Sequence, residues 1–245
     1  MNSEEYQNLA NVERGHWYYR GKREFVRRWI EKVRPPQITD TLLDCGAGTG
    51  QFAAEMSSRC RVLVLDSHEE SLAMLRKRFS PEQVLALTGD QVPLPNTSLE
   101  YITALDVLEH VPDDQAVVDG FARLLKPGGV AVVTVPASMA LWSDWDVVLH
   151  HFRRYSKPQL QSLFTETKWD VTAVHYTNVA VFPLVWIARR WQGWFRGDRN
   201  QHGLEHNVPP KWINMMLRVQ FVWSAMIPIA WPFGISLLLV ARRKA

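Results

Sequence analysis

Along the first two-thirds of the chain, short apolar runs alternate with longer amphipathic stretches. Leu42-Leu43 ends in Asp44 and Val62–Leu65 ends in Asp66. Val84–Leu87, Tyr101–Leu105 and Val130–Val135 continue the series. These runs are too short for helices and lack strict apolar–polar alternation, as expected of parallel strands covered on both faces. The stretches between them carry helical spacing. Ser67–Phe79 sets Leu72, Leu75 and Phe79 on one face, and helices are expected over Thr49–Met56 and about Asp113–Leu125. Five strands separated by helices predict a doubly wound parallel sheet. Such sheets bind ligands beyond the carboxyl ends of their strands, where Asp44, Gly46, Asp66, Asp90 and Asp106 all fall. Further on, Ser156 and Pro158 suit the start of a helix over Lys157–Thr167, and Trp169–Tyr176 reads as a sixth strand.

The first strand runs into Asp44-Cys-Gly-Ala-Gly-Thr-Gly50. Gly46, Gly48 and Gly50 permit a tight turn and a close approach of backbone to ligand. A dinucleotide fingerprint would space its glycines as Gly-x-Gly-x-x-Gly, but the residue three after Gly48 is Gln51. The Asp-x-Gly-x-Gly-x-Gly pattern instead resembles the class I S-adenosylmethionine (SAM) dependent methyltransferases, with specific motifs over roughly Thr41–Pro136. The resemblance implies SAM as cofactor, in a pocket drawn from Asp44, Gly46, Ala47, Gly48 and Gly50. It implies that Asp66, beside Ser67, accepts the ribose hydroxyls. Asp90 and Gln91 would lie beside the adenine, and Asp106 at the fourth strand end. Trp17 and Arg23, in an aromatic and basic N-terminal helix, would line the amino-acid end of the cofactor. A surface helix packed by Phe25, Trp29 and Ile30 is the competing picture. Ile235–Arg242 resembles the antiparallel strand that closes such sheets. The expected architecture is therefore α/β, doubly wound, with a mostly parallel seven-stranded sheet. Residues 1–36 form an N-terminal helical cap, 37–177 the SAM-binding core, 178–233 an apolar basic helical insertion, and 234–245 the closing strand and basic tail.

Candidate chemistry for the acceptor lies after the fourth and fifth strands. His110, His150 and His151 are general-base candidates, because imidazole titrates near neutral pH. Trp142, Trp145, Arg154 and Tyr155 crowd Pro136–Tyr155, a loop suited to a substrate wall. The same loop has a structural alternative, in which Arg153 or Arg154 pairs with Asp144 or Asp146. No metal is expected among these residues.

Charge changes the picture at the C-terminal end. The chain carries a net +3, yet from Tyr176 onward nine Lys or Arg face only two Asp or Glu, so the preceding part is net negative. Two apolar, Trp-rich segments lie in this basic part, Val179–Phe195 and Trp212–Trp231, and no charge occurs from Val219 to Ala241. Tryptophan and arginine suit a lipid interface. Residues 179–231 are therefore expected to make a peripheral membrane contact or a greasy substrate mouth, with a spanning anchor or a homodimer interface as competing assignments. A nucleic-acid partner is disfavoured, because Leu105-Asp-Val-Leu-Glu109 departs from the base-methylating motif and the acidic core lacks a basic stripe. The polar start and two cysteines, Cys45 and Cys60, suit a reducing cytoplasmic setting, on the inner face of the membrane if peripheral. The expected activity is methyl transfer from SAM to a hydrophobic or membrane-associated small molecule, such as a lipid, quinone or polyprenyl-linked precursor. The alternatives are a soluble sugar or secondary-metabolite methyltransferase with the apolar insertion as dimer interface, and a catalytically silent SAM-binding protein.

Overall fold

The computed structural model describes residues 10–87, 91–192, 208–227, 229 and 231–245. Its elements run α1 (Trp17–Val33), β1 (Thr41–Cys45), α2 (Gln51–Met56), β2 (Arg61–Leu65), α3 (Glu69–Arg78), β3 (Val84–Leu85), β4 (Leu99–Leu105), α4 (Asp114–Leu124) and β5 (Leu125–Pro136). They continue as α5 (Asp144–Val148), α6 (Lys157–Leu163), β6 (Trp169–Thr177), α7 (Phe182–Gln192), α8 (Lys211–Met226) and β7 (Ser236–Arg243). The seven strands form one sheet in the order β3-β2-β1-β4-β5-β7-β6. The first five are parallel, whereas β7 runs antiparallel to both β5 and β6. The chain reverses direction across the sheet between β1 and β4, and the strand ends there form the rim on which the site is built.

The inner strands bury both faces because the sheet has a core on either side. Leu43, Ile102, Val133 and Leu239 point into one, with Phe121, Phe164 and Trp169. Leu42, Tyr101, Val132 and Val240 point into the other, with Phe25, Trp29, Phe52 and Phe221. This two-sided burial is why the strands read as continuous apolar runs.

Several boundaries differ from the sequence expectation. The third strand stops at Leu85. The fifth begins at Leu125, pairing with Leu99 before an irregularity in register between Leu99 and Tyr101. The helix expected to run to Thr167 ends at Leu163, where Phe164 turns into the core beside Trp169. The helix expected over Trp212–Trp231 ends at Met226, ahead of Pro228 in the sequence. A proline two residues on is a common stop signal.

α8 lies against α1, joining the two flanks of the chain. Phe221 is fully buried between them, stacked on Tyr18 with ring centroids 5.6 Å apart and edge-on to Trp17 and Phe25. Gly21 is required here, since a Cβ would fall 2.7 Å from the Phe221 ring. Trp29 Nε1 donates to the Ala225 carbonyl at 3.0 Å, and Asn214 accepts from Trp17 N at 2.7 Å while donating to Gly15 O at 2.9 Å. No described helix is long and apolar enough to cross a membrane.

Candidate active site at the sheet rim

The turn between β1 and α2 holds three glycines with left-handed backbone: Gly46 at φ +70, Gly48 at +55 and Gly50 at +74. Gly46 N and Ala47 N donate to Leu65 O at 2.8 and 2.9 Å, which fixes the turn to the end of β2. At Gly46 a Cβ would strike Val107 at 2.5 Å, and at Gly50 it would strike Phe79 at 2.5 Å. At Gly48 an added Cβ meets nothing within 4 Å. Thus two glycines allow the turn to pack, and the third faces open space, a backbone cradle of the kind a nucleotide-like ligand needs.

Acidic groups surround this cradle. Asp66, buried at the end of β2, accepts from Gly48 N at 2.9 Å and from His68 N at 3.0 Å. A carboxylate offers about four lone-pair positions, so two remain for further donors. Asp44 is buried beneath the turn and accepts from Thr103 Oγ1 at 2.7 Å. Burial pushes its pKa up to about 7, reinforced by the Asp66 charge and opposed by the Thr103 hydrogen bond. Ser67 and Gln91 are exposed and Ala47 is half-buried. Asp90 lies outside the described residues.

Asp44 supplies a pH test. The folded state holds this proton to about pH 7, whereas a free aspartate loses it near 3.8. The fold therefore binds more protons in that window and loses stability as pH rises through it. His110 works in the opposite sense: burial, then the neighbouring His151, lowers its pKa from 6.5 to about 4. The expected result is that Asp44→Asn removes the falling component and leaves that of His110 unopposed, so the variant's melting temperature climbs relative to the wild type's as pH rises from 4 to 7. Thermal melts across that range check it, and parallel curves for the two proteins would contradict it.

Asp106 ends β4 with a left-handed backbone, φ +58, unusual for a residue with a side chain. Thr134 Oγ1 donates to it at 2.9 Å, and Lys22 of α1 pairs with its other oxygen. Lys22 also donates to Tyr18 Oη at 2.8 Å. Burial works against the Lys22 charge, but Asp106 and Tyr18 outweigh it and raise its pKa. The cap thus reaches the rim through Lys22, which the sequence alone did not single out. Arg23 instead pairs with Glu55 at 2.8 Å and donates to Glu13 O at 3.0 Å, and Trp17 packs on Phe221.

Beyond Asp106, the 3-10 turn Leu108–His110 carries Glu109 and His110. Glu109 is completely buried, and its pKa is raised well above the usual carboxylate range, by burial first and then by Asp106. His110 meets His151 edge-on with ring centroids 4.7 Å apart. His151 Nδ1 lies 2.9 Å from Asp146 Oδ1, and Arg154 Nε donates to the same oxygen at 2.7 Å. Burial raises the Asp146 pKa, but these hydrogen bonds outweigh it and hold it at about 2. Tyr155 Oη donates to Asp114 at 2.7 Å and to Leu108 O at 3.1 Å. Arg154 and Tyr155 therefore anchor the loop from buried positions, as in the structural alternative. Trp142 and Trp145 are half-buried, and His150 is exposed on a left-handed backbone. Glu109 was overlooked in the sequence because nothing in Asp106-Val-Leu-Glu-His110 announces which side chain turns inward.

The sheet order, with one antiparallel strand inserted beside β5, and the glycine turn at the rim define a Rossmann-like methyltransferase fold. Comparison with known proteins agrees. The family described as "Methyltransferase domain" matches residues 43–133. A "Probable S-adenosylmethionine-dependent methyltransferase" of Mycobacterium tuberculosis is 25% identical over 139 residues, 56% of this chain and 51% of the relative. Ubiquinone biosynthesis O-methyltransferase of Acinetobacter baylyi is 31% identical over 108 residues, 41% of this chain and 45% of the relative. Among solved structures, geranyl diphosphate C-methyltransferase from Streptomyces coelicolor A3(2) superposes with a TM-score of 0.59 at 14% identity, covering 91% of this chain and 78% of that one. That last likeness is one of fold. The chain spans about half the length of the curated relatives it matches. Residues 43–133 thus match a methyltransferase domain, and the relatives named above that share this part of the chain are SAM-dependent or ubiquinone-pathway methyltransferases.

Proposed function

We propose that the chain transfers a methyl group from SAM to a hydrophobic or membrane-associated small molecule of the lipid, quinone or polyprenyl-linked kind. The cofactor would rest on the Gly46–Gly50 backbone. Asp66 would take the ribose hydroxyls on its two remaining lone-pair positions, and Asp44 would support the turn from below. Bound there, SAM supplies a methyl on a cationic sulfur. The residues after β4 and β5 would hold the acceptor in line with that methyl and keep water out. His110, four residues past Asp106, and His151, packed edge-on against it, are the imidazoles that follow β4 and β5. An acceptor hydroxyl would be met there by a base whose help is typically worth about 10² to 10⁴ in rate.

One observation carries the hydrophobic substrate class. α8 buries one face on the cap and exposes the other as an apolar stripe of Trp212, Met215, Met216, Val219 and Trp223, from 56% to 67% exposed. Leu184, Trp186 and Ile187 of α7 add to the exposed apolar surface. A patch of this kind on a monomer marks an interaction surface. The basic C-terminal part favours an anionic lipid interface, and the helix bearing the stripe is the one that holds the cap over the rim. A relative named for ubiquinone biosynthesis is consistent with such an acceptor.

Two measurements test the proposal. Isothermal titration is expected to give one SAM site per chain, and absence of binding would end it. Flotation with vesicles containing anionic lipid is expected to carry the wild-type protein upward. The triple change Trp212→Ser, Met216→Ser, Trp223→Ser should leave at least tenfold less protein in the lipid fraction. The same stripe also fits the second assignment, a soluble methyltransferase that dimerises through it. Sedimentation showing a tight dimer without lipid, and no flotation, would favour that.

A further inference from the structure

We infer that Glu109, His110 and His151 form a binding site for a divalent transition-metal ion of the zinc class. One ligand atom from each of the three lies within 4.8 Å of the others. Around a tetrahedral ion with bonds of about 2.1 Å, ligand atoms stand about 3.4 Å apart, so the cluster has to draw in by roughly 1 Å. His110 and His151 are only partly buried, on a single 3-10 turn and a loop, where such an adjustment is open to them.

The carboxylate is the strongest reason. Glu109 is 0% exposed, and neither of its oxygens has a hydrogen-bond partner among the described residues. Buried acids are ordinarily paired or bound to a metal. The cations closest to hand are committed elsewhere, Lys22 to Asp106 and Arg154 to Asp146. The second reason lies behind His151. Its Nδ1 faces Asp146, whose carboxylate is further held by Arg154 and by Ser143 N at 2.9 Å. An ionised carboxylate there keeps the proton on Nδ1 and leaves Nε2 with a lone pair, the arrangement that orients metal-bound histidines. Two imidazoles and one carboxylate suit zinc or a neighbouring transition ion better than magnesium or calcium, which prefer oxygen donors. Nothing in the sequence points to the site, and the expectation of no metal is the natural one, because His151 is far along the chain from Glu109-His110.

Three protein ligands leave one position open on a tetrahedral ion. Glu109 and His110 follow Asp106 at the rim by three and four residues. An oxygen of the acceptor, such as a phenolate or enolate, would complete the set. This last assignment rests on the methyltransferase proposal, whereas the metal site itself does not.

The test uses the full chain, stripped with chelator and titrated with zinc against a metallochromic indicator, then with cobalt while following visible absorption. One equivalent of each ion is expected, with the d–d bands of a four-coordinate cobalt site. Glu109→Gln, His110→Ala and His151→Ala should each weaken zinc binding at least tenfold, and His150→Ala should not. Asp146→Asn is expected to weaken it by about 10- to 100-fold, as changes behind a metal ligand do. Circular dichroism checks that each variant is folded. No stoichiometric zinc or cobalt at micromolar ion overturns the inference. So does unchanged affinity in folded Glu109→Gln and His151→Ala, or binding of magnesium in preference to zinc. SAM titration of the metal-free protein is read separately, so loss of the metal site and loss of the methyltransferase proposal are distinguishable.

Discussion

Replacing Gly50 by alanine is expected to destabilise the protein by about 2–5 kcal/mol and to abolish SAM binding at concentrations that saturate the wild type. Two effects add. A residue with a side chain held in left-handed backbone loses about 1–2 kcal/mol, and Gly50 sits at φ +74. Overfilling a packed site adds about 1–3 kcal/mol, and here the new Cβ would stand 2.5 Å from Phe79 and 2.7 Å from Leu75. Both neighbours pack in the core beneath the turn, so relief requires moving α3 or opening the cradle. Denaturant unfolding measures the first effect and calorimetric titration the second. A loss under about 1 kcal/mol with normal SAM affinity would show that the turn is not built as described.

Phe221→Ala is expected to have a comparable effect, about 3–5 kcal/mol for a large core aromatic. Phe221 is fully buried. It fills the space between α1 and α8 against Trp17, Tyr18, Phe25 and Gly21. Its loss should also loosen the cap from the rim, since Tyr18 is hydrogen-bonded to Lys22 and Lys22 to Asp106. Faster proteolysis within residues 17–33, together with the drop in unfolding free energy, is the expected signature. A stable variant with an unaltered digestion pattern would mean that α8 does not hold the cap.

Much of the architecture is legible in the sequence because two-sided burial writes itself as uninterrupted apolar runs. The runs ending at Asp44, Asp66 and Asp106 put these acids at one edge, where the structure has them. The left-handed glycines are equally legible, because few other residues occupy that backbone. What the sequence conceals is the outcome of docking between distant segments. Whether Lys22 or Arg23 meets the rim depends on how α1 rolls against α8, and both residues fit a basic amphipathic helix. The same holds for Glu109, whose burial is decided by the loop that returns with His151 and Arg154. That loop's Arg154–Asp146 pair was within reach of sequence reasoning as one of several possible pairings, and the choice among them needed the fold.

The helix over the rim and the helix that clamps it come from opposite ends of the described chain, with Trp29 bonded to Ala225 across the sequence of six of the seven strands. During synthesis the sheet's first five strands can form long before Met226 has left the ribosome. The cap can already settle on the sheet through Phe25 and Trp29 and on the rim through Lys22, but the face that receives Phe221 stays uncovered. A nascent chain therefore spends most of its translation with the cap held from one side, and termination between β5 and α8 would release a protein that carries the glycine turn under a half-anchored cover.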